Sequence, residues 1–308
     1  MTMLSRVAEN IYWMARYIER AENTARLINV NTNLLLDLPK RVRLGWEPII
    51  EIMGTREVFN AHYHEADERS VIRFLITNTS NPSSILTSLA QARENARTIR
   101  DIIPREAWEQ VNQLYLSARE DAAHSLAQRN RYDYLRRLIL GAQTITGLLA
   151  GTMTHDESYD FLRLGRNLER SDMTTRIIDV RSATLLPELH EDLTPFENIQ
   201  WMSVLKSLTA YQMYRRTMRI RVRRPDVLRF LLLERRFPRA FHHTTSEAQI
   251  CLSSLPHNEK PLKALATLQR KVQRVKPEKL EQEELHGFID DLQLGLARVH
   301  QRISEVYF

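Results

Sequence analysis

A fifteen-residue stretch near the start of the chain returns 150 residues later, and this repeat constrains the fold more than any other feature. Arg16-Tyr-Ile-Glu19-Arg20-Ala-Glu22-Asn-Thr24-Ala-Arg26-Leu-Ile28-Asn-Val30 reappears as Arg166-Asn-Leu-Glu169-Arg170-Ser-Asp172-Met-Thr174-Thr-Arg176-Ile-Ile178-Asp-Val180. Seven of the fifteen positions are identical and four of the seven are charged. Any amphipathic helix can restore an apolar period by chance, but not Arg, Glu, Arg, Thr and Arg at the same offsets. The repeat extends further. Trp46-Glu-Pro-Ile-Ile-Glu-Ile-Met resembles Trp201-Met-Ser-Val-Leu-Lys-Ser-Leu at an offset of 155, and Phe74 with Pro82 matches Phe230 with Pro238 at an offset of 156. The landmarks keep their order, with about six residues gained in the second copy between the Glu-Arg helix and the Trp helix. Two helical units, 1–150 and 151–308, are therefore expected to be fused, and no Gly/Ser/Pro-rich linker separates them.

The repeated unit is helical. Glycine is scarce, at eight residues in 308, and long stretches between prolines carry a period near 3.6. From Leu4 the apolar positions Val7, Ile11, Met14, Ile18, Ala21, Ala25 and Ile28 paint one stripe down a long helix. Further helices are predicted at about 46–62, 67–78, 83–103, 105–128, 130–151, 155–184, 197–222, 226–234, 239–254, 259–273 and 277–306. Pro82, Pro104, Pro187, Pro225, Pro238, Pro256 and Pro277 punctuate them. The fold class is all-α, a large helical bundle built from two pseudo-two-fold related repeats packed as one compact body. A single cysteine, Cys251, forbids an intrachain disulfide and points to the cytoplasm, and no segment reads as a signal peptide or membrane span.

Charge concentrates in two places. With Ile18 at the centre of the apolar stripe, a helical wheel puts Glu22 about 40°, Arg26 about 80° and Glu19 about 100° away. Glu22 thus belongs on the core face, while Trp13, Tyr17 and Leu27 make the opposite side apolar too, as on a central helix. Charges there are costly unless paired. One reading is a structural network, with Glu169, Arg170, Asp172 and Arg176 repeating it in the second copy. The other is a cleft in which Arg16, Arg20, Arg26, Arg93 and Arg97 bind an anionic or peptide-like substrate. In that reading Glu19 or Glu22 is the candidate general base. Arg93, Arg97 and Arg100 share a helix face, which reads either as a source of cations for Glu19 and Glu22 or as a solvated charged face.

The second concentration is basic: ten arginines lie between Arg215 and Arg239, opposed only by Asp226 and Glu234. It lacks the interleaved aromatics of single-strand binders and matches no groove-reading module, so a partner surface or solvated face is expected rather than nucleic acid. His62-Tyr-His64-Glu65-Ala-Asp67-Glu68 holds metal-capable groups, but i,i+2 histidines diverge on a helix and no HExxH or cysteine pattern accompanies them, so no metal is assigned. His155-Asp156-Glu157 and His242-His243 read as loop or cap residues. There is no GxGxxG, P-loop, nucleophile elbow or CxxC, and no cofactor is predicted.

At Asn10-Ile-Tyr-Trp13-Met-Ala-Arg16-Tyr17-Ile-Glu19-Arg20-Ala-Glu22-Asn-Thr-Ala-Arg26, and again at Asn167-Leu-Glu169-Arg170-Ser-Asp172, the chain resembles the bacterial alpha-E domain family along essentially its whole length. Asn81-Pro82-Ser83-Ser84-Ile85 and Ala92-Arg93-Glu94-Asn95-Ala96-Arg97 are further points of likeness. The resemblance implies an all-helical protein encoded beside, or fused to, circularly permuted ATP-grasp proteins, often with transglutaminase-like proteins nearby. It implies an accessory subunit in ATP-dependent amide or peptide ligation that binds or presents a peptide or amino-acid substrate. The alternative is a stand-alone helical enzyme using the Glu/Arg cluster.

Overall fold

The computed structural model describes residues 3–37, 45–183, 194–219 and 221–308. Among them there is no strand, and fourteen α-helices fall into two runs of seven. The first run is α1 (Ser5–Asp37), α2 (Glu47–Met53), α3 (Arg56–Asn60), α4 (Glu68–Ile76), α5 (Ile85–Thr98), α6 (Arg105–Ser125) and α7 (Gln128–Thr152). The second is α8 (Glu157–Ala183), α9 (Thr194–Ser207), α10 (Tyr211–Met218), α11 (Arg224–Leu233), α12 (Phe241–Ser254), α13 (Glu259–Arg274) and α14 (Gln282–Tyr307). Both α5 and α12 have 14 residues, and they begin at positions 85 and 241, the same offset of 156 that relates Phe74 to Phe230. Residues 184–193, which include Pro187, and the sequence gain placed there lie outside the described residues.

Two predicted helices are each broken in two. The stretch 46–62 divides at Gly54, whose φ of 63° is left-handed and which closes α2 with its backbone N–H. The stretch 197–222 divides between α9 and α10, where Thr209 takes a φ of 56°, and α10 ends on Arg219, also at 56°. Glycine tolerates this conformation, whereas threonine and arginine adopt it at a steric cost, so these two breaks carry no sequence signal. Elsewhere the local chemistry is legible. Asp67 and Ser84 accept hydrogen bonds from backbone N–H groups at the starts of α4 and α5. Buried Asn81 donates to the Phe74 carbonyl at 3.1 Å and accepts from Ser83 N–H at 2.9 Å, tying the end of α4 to the start of α5.

The residues divide into two compact units, one comprising 1–29, 45–169 and 307–308, the other 30–44 and 170–306. The divisions fall inside the two motif helices rather than near residue 150. In the first unit α4, α5, α6 and α7 pack in succession. Tyr134 on α7 donates to the Ala118 carbonyl on α6 at 3.1 Å, and Arg137 pairs with Asp121 at 2.6 Å. The amino-terminal part of α1 is buried on more than one side: Ile11, Met14, Ile18, Ala25 and Ile28 are joined in the core by Tyr12 and Leu27. In the second unit α11 contacts α9, α10, α12 and α13. Trp201, Tyr214, Phe230 and Phe241 are fully or almost fully buried there. Cys251 is also buried. No helix among the described residues is long and apolar enough to cross a membrane.

Candidate functional site

Tyr12, Arg16 and Arg20 occur at four-residue intervals on α1, so their side chains stack along one face. What brings a partner to them is Gly165 on α8. A Cβ at Gly165 would lie 2.3 Å from the Tyr12 carbonyl oxygen, so only glycine allows the two backbones to approach this closely. One turn further along α8, Glu169 reaches the arginines. Arg16 Nε donates to Glu169 Oε2 at 2.7 Å, Arg20 Nε to Oε1 at 2.6 Å, and Arg20 Nη2 to Oε2 at 3.0 Å. Arg16 Nη1 also donates to the Tyr12 hydroxyl at 3.0 Å. Aromatic rings complete the clamp: the Arg16 guanidinium lies 5.0 Å from the Trp13 ring centre and the Arg20 guanidinium 5.5 Å from that of Tyr17.

Glu169 is only 2% exposed. Burial by itself would push its carboxyl up, but the Arg20 and Arg16 guanidiniums override it and hold it at about 2. Burial also raises the Tyr12 hydroxyl, with Arg16 opposing. A carboxylate so stabilised remains ionised throughout the neutral range and is a poor proton acceptor. The arrangement is a charge-paired joint between α1 and α8 within the first unit.

The second pair on α1 is local. Arg26 Nη2 and Nε donate to Glu22 Oε1 at 2.6 and 3.0 Å, and Gln143 on α7 approaches the same oxygen at 3.5 Å. Glu22 is buried, as its place on the apolar stripe requires. Its counterpart Asp172 pairs with Arg176 at 2.8 Å in a more open setting. Glu19 is buried as well. With Arg166, Ile18, Ile145 and Leu149 it borders a cavity of about 10 Å³, room for one water and too small for an amino acid.

Arg93 and Arg97 do not join this cluster. Arg93 donates to Asn112 on α6 and to its neighbour Glu94, both at 2.7 Å, and lies 5.5 Å from the Tyr115 ring centre. Arg97 pairs with Glu94 at 2.9 Å and is largely exposed. Of the two readings of this face, the supply of cations to Glu19 and Glu22 is therefore corrected and the solvated charged face stands, and Arg100 lies beyond the end of α5. Spacing placed them on one helix, but α5 turns them toward α6 and solvent. The His62–Glu68 segment is likewise accounted for locally: His62 Nδ1 sits 2.9 Å from the Val58 carbonyl and Asp67 caps α4. Among the described residues, Asp179, His286 and Asp290 have ligand-capable atoms within 4.8 Å of one another. The imidazole itself spans the carboxylates there, with Nδ1 at 2.7 Å from Asp179 and Nε2 at 3.7 Å from Asp290.

Gly165 and Tyr12 are the members of the site that sequence reasoning missed. The available signal was a glycine in the interior of a strongly periodic helix in a glycine-poor chain.

Uncharacterized proteins of Mycobacterium bovis and Mycobacterium tuberculosis are each 23% identical over 322 residues, covering 98% of this chain and 36% of theirs. The chain thus spans about a third of the length of these curated relatives. No solved structure matches it. A family described as a predicted alpha-helical domain with a conserved ER motif matches residues 3–308, and the Glu-Arg pairs at Glu19-Arg20 and Glu169-Arg170 lie within that span: the chain belongs to the Alpha-E family.

Proposed function

We propose that the protein is a cytoplasmic, non-catalytic helical subunit of an ATP-grasp amidoligase system, where it binds or presents the peptide or amino-acid substrate to a circularly permuted ATP-grasp partner. The observation that carries this reading is the Glu169 clamp. Two guanidiniums occupy both carboxylate oxygens at 2.6 to 3.0 Å, so the motif's charge is spent on joining helices rather than held ready for proton transfer. Two further motif acids are paired within their own helices, Glu22 through one oxygen with Arg26 and Asp172 with Arg176. The length of the relatives agrees with the partnership, since the matched region is 36% of each and leaves room for a further catalytic domain in the same polypeptide. A lone buried thiol suits a reducing compartment, and a transglutaminase-like protein belongs to the same proposed system.

The test is reconstitution. The purified chain alone should form no amide bond in the presence of ATP, and its addition to a purified circularly permuted ATP-grasp protein should change the rate of ligation. Turnover by the chain alone, abolished by Glu22→Gln, would replace this reading with that of a stand-alone enzyme.

A further inference from the structure

The arginine-rich stretch that neither motif helix uses builds a second site. Arg215, Arg219, Arg221 and Arg223 line an open cavity of about 930 Å³ with Asn198, Met202, Tyr211, Val222 and Asp226. All of these residues belong to one compact unit. Asp226 is the only acid among them, leaving an excess of three positive charges. Among the described residues none of the four arginines is in an ion pair. They differ in this from Arg16, Arg20, Arg26, Arg93 and Arg97, each of which has a carboxylate at hydrogen-bond distance.

The backbone is arranged to keep them together. Arg219, which ends α10, is held in the left-handed region at φ 56°, a conformation costly for a residue with a Cβ. Tyr214 is buried and donates its hydroxyl to the Arg221 carbonyl at 3.0 Å. Arg223 is the N-cap of α11 and makes no side-chain cap, so the positive end of a ten-residue helix opens at the cavity wall. The corresponding connection in the first run, between α3 and α4, has the opposite chemistry. It carries Glu65 and Asp67, and Asp67, the N-cap that stands 156 positions before Arg223, does accept from Ser70 N–H at 2.7 Å. At matching sequence positions α4 starts from an acidic residue that caps it and α11 from a basic one that does not.

We infer that this cavity binds a small polyphosphate anion, a chain of phosphoryl groups free or on a nucleoside, through the guanidiniums of Arg215, Arg219, Arg221 and Arg223 and the N-terminus of α11. Guanidinium forks match phosphoryl oxygens bidentately, and several converging on one cavity select for charge along a chain rather than for a single phosphate. The lining offers one aromatic ring, Tyr211, which is too little for a stacking platform along a nucleic-acid strand. The inference is independent of the proposed amidoligase partnership and is tested without a partner.

The experiment is calorimetric titration of the full chain at constant ionic strength with sodium tripolyphosphate, orthophosphate, ATP and a ten-nucleotide single strand. Tripolyphosphate should bind about tenfold or more tighter than orthophosphate, and Arg223→Ala should weaken it about tenfold, while Lys263→Ala, in a separate basic groove between α13 and α14, should leave it unchanged. Arg219→Gly removes a charge and the backbone strain together, so it should bind tripolyphosphate more weakly while unfolding at the same or a higher temperature. ATP binding as tightly as tripolyphosphate identifies the phosphate chain as the whole determinant, and tighter ATP binding adds the nucleoside. Tripolyphosphate no tighter than orthophosphate, equal losses in the Arg223 and Lys263 variants, undiminished binding by Arg219→Gly, or a single strand that outcompetes tripolyphosphate would each overturn the assignment.

Discussion

The Glu-Arg motif spells nearly the same charges on α1 and on α8 but sets them in different surroundings. On α1, Glu22 is 3% exposed and Arg26 12%. On α8 the matching pair, Asp172 and Arg176, is 22% and 31% exposed. Both pairs have i,i+4 geometry, with separations of 2.6 and 2.8 Å. Distance therefore does not distinguish them. A buried pair is strongly destabilising to break because one charge is stranded in low dielectric, whereas water and salt screen the half-exposed pair. Glu169 belongs to the buried extreme, since its partners Arg16 and Arg20 come from another helix and its own exposure is 2%.

The sharpest way to break this comparison is to remove Glu169. Glu169→Ala strands two guanidiniums and should cost on the order of 3–5 kcal/mol of stability, read as a large drop in the thermal midpoint. The pH profile carries the same information. A carboxyl held at about 2 contributes stability that is fully present above its unfolded value near 4.5 and is lost as pH falls from there toward 2. The wild type should therefore lose stability more steeply across that acid window than Glu169→Gln. Parallel profiles would show that the clamp does not distinguish folded from unfolded chain. Gly165→Ala attacks the same joint through packing. A methyl 2.3 Å from the Tyr12 carbonyl must push α8 off α1, at a cost of about 1–3 kcal/mol or more, and it should weaken the clamp without touching a charge. If Gly165→Ala is neutral, the close approach is not what positions Glu169.

What was legible in the sequence follows the range of the interactions. Glu22 with Arg26 and Asp172 with Arg176 could be read because helical geometry fixes the distance between residues four apart. The starts of α5 and α12 could be placed because Pro82 and Pro238 stand just ahead of them. Glu169 meeting Arg16 and Arg20 could not, because helical periodicity says nothing about which residues 150 positions apart come together. Arg93 illustrates the same limit from the other side. Its spacing on α5 was right, but whether it faced Glu22 or Asn112 depended on how α5 packs against α6. The breaks at Thr209 and Arg219 were hidden for a different reason, since neither residue type announces a positive φ.

The paired substitutions Glu22→Gln and Asp172→Asn sharpen the central contrast directly. Glu22→Gln should cost roughly 2–3 kcal/mol, because Arg26 is left buried beside a neutral acceptor, and Asp172→Asn about 0.5 kcal/mol or less, as for other pairs open to solvent. Denaturant midpoints at neutral pH measure both. Equal losses would mean that exposure in the static structure does not set the strength of these pairs.

The smallest effect is expected at the far end of α8, where Asp179 stands at the position that is Asn29 on α1. Asp179 accepts from His286 at 2.7 Å, and this hydrogen bond raises the imidazole above its usual value. Burial raises the Asp179 carboxyl while His286 opposes it. For the histidine the sign is the reverse of that for Glu169. Its stabilisation is complete below the unfolded value near 6.5 and disappears as pH rises through the higher folded value. With His286 more than half exposed, the contribution is a few tenths of a kcal/mol, as expected for a solvent-screened pair. Between pH 6 and 8 the wild type should lose that much more stability than His286→Asn. Identical behaviour of the two proteins over this interval would leave α8, like α1, without a titrating pair at this position.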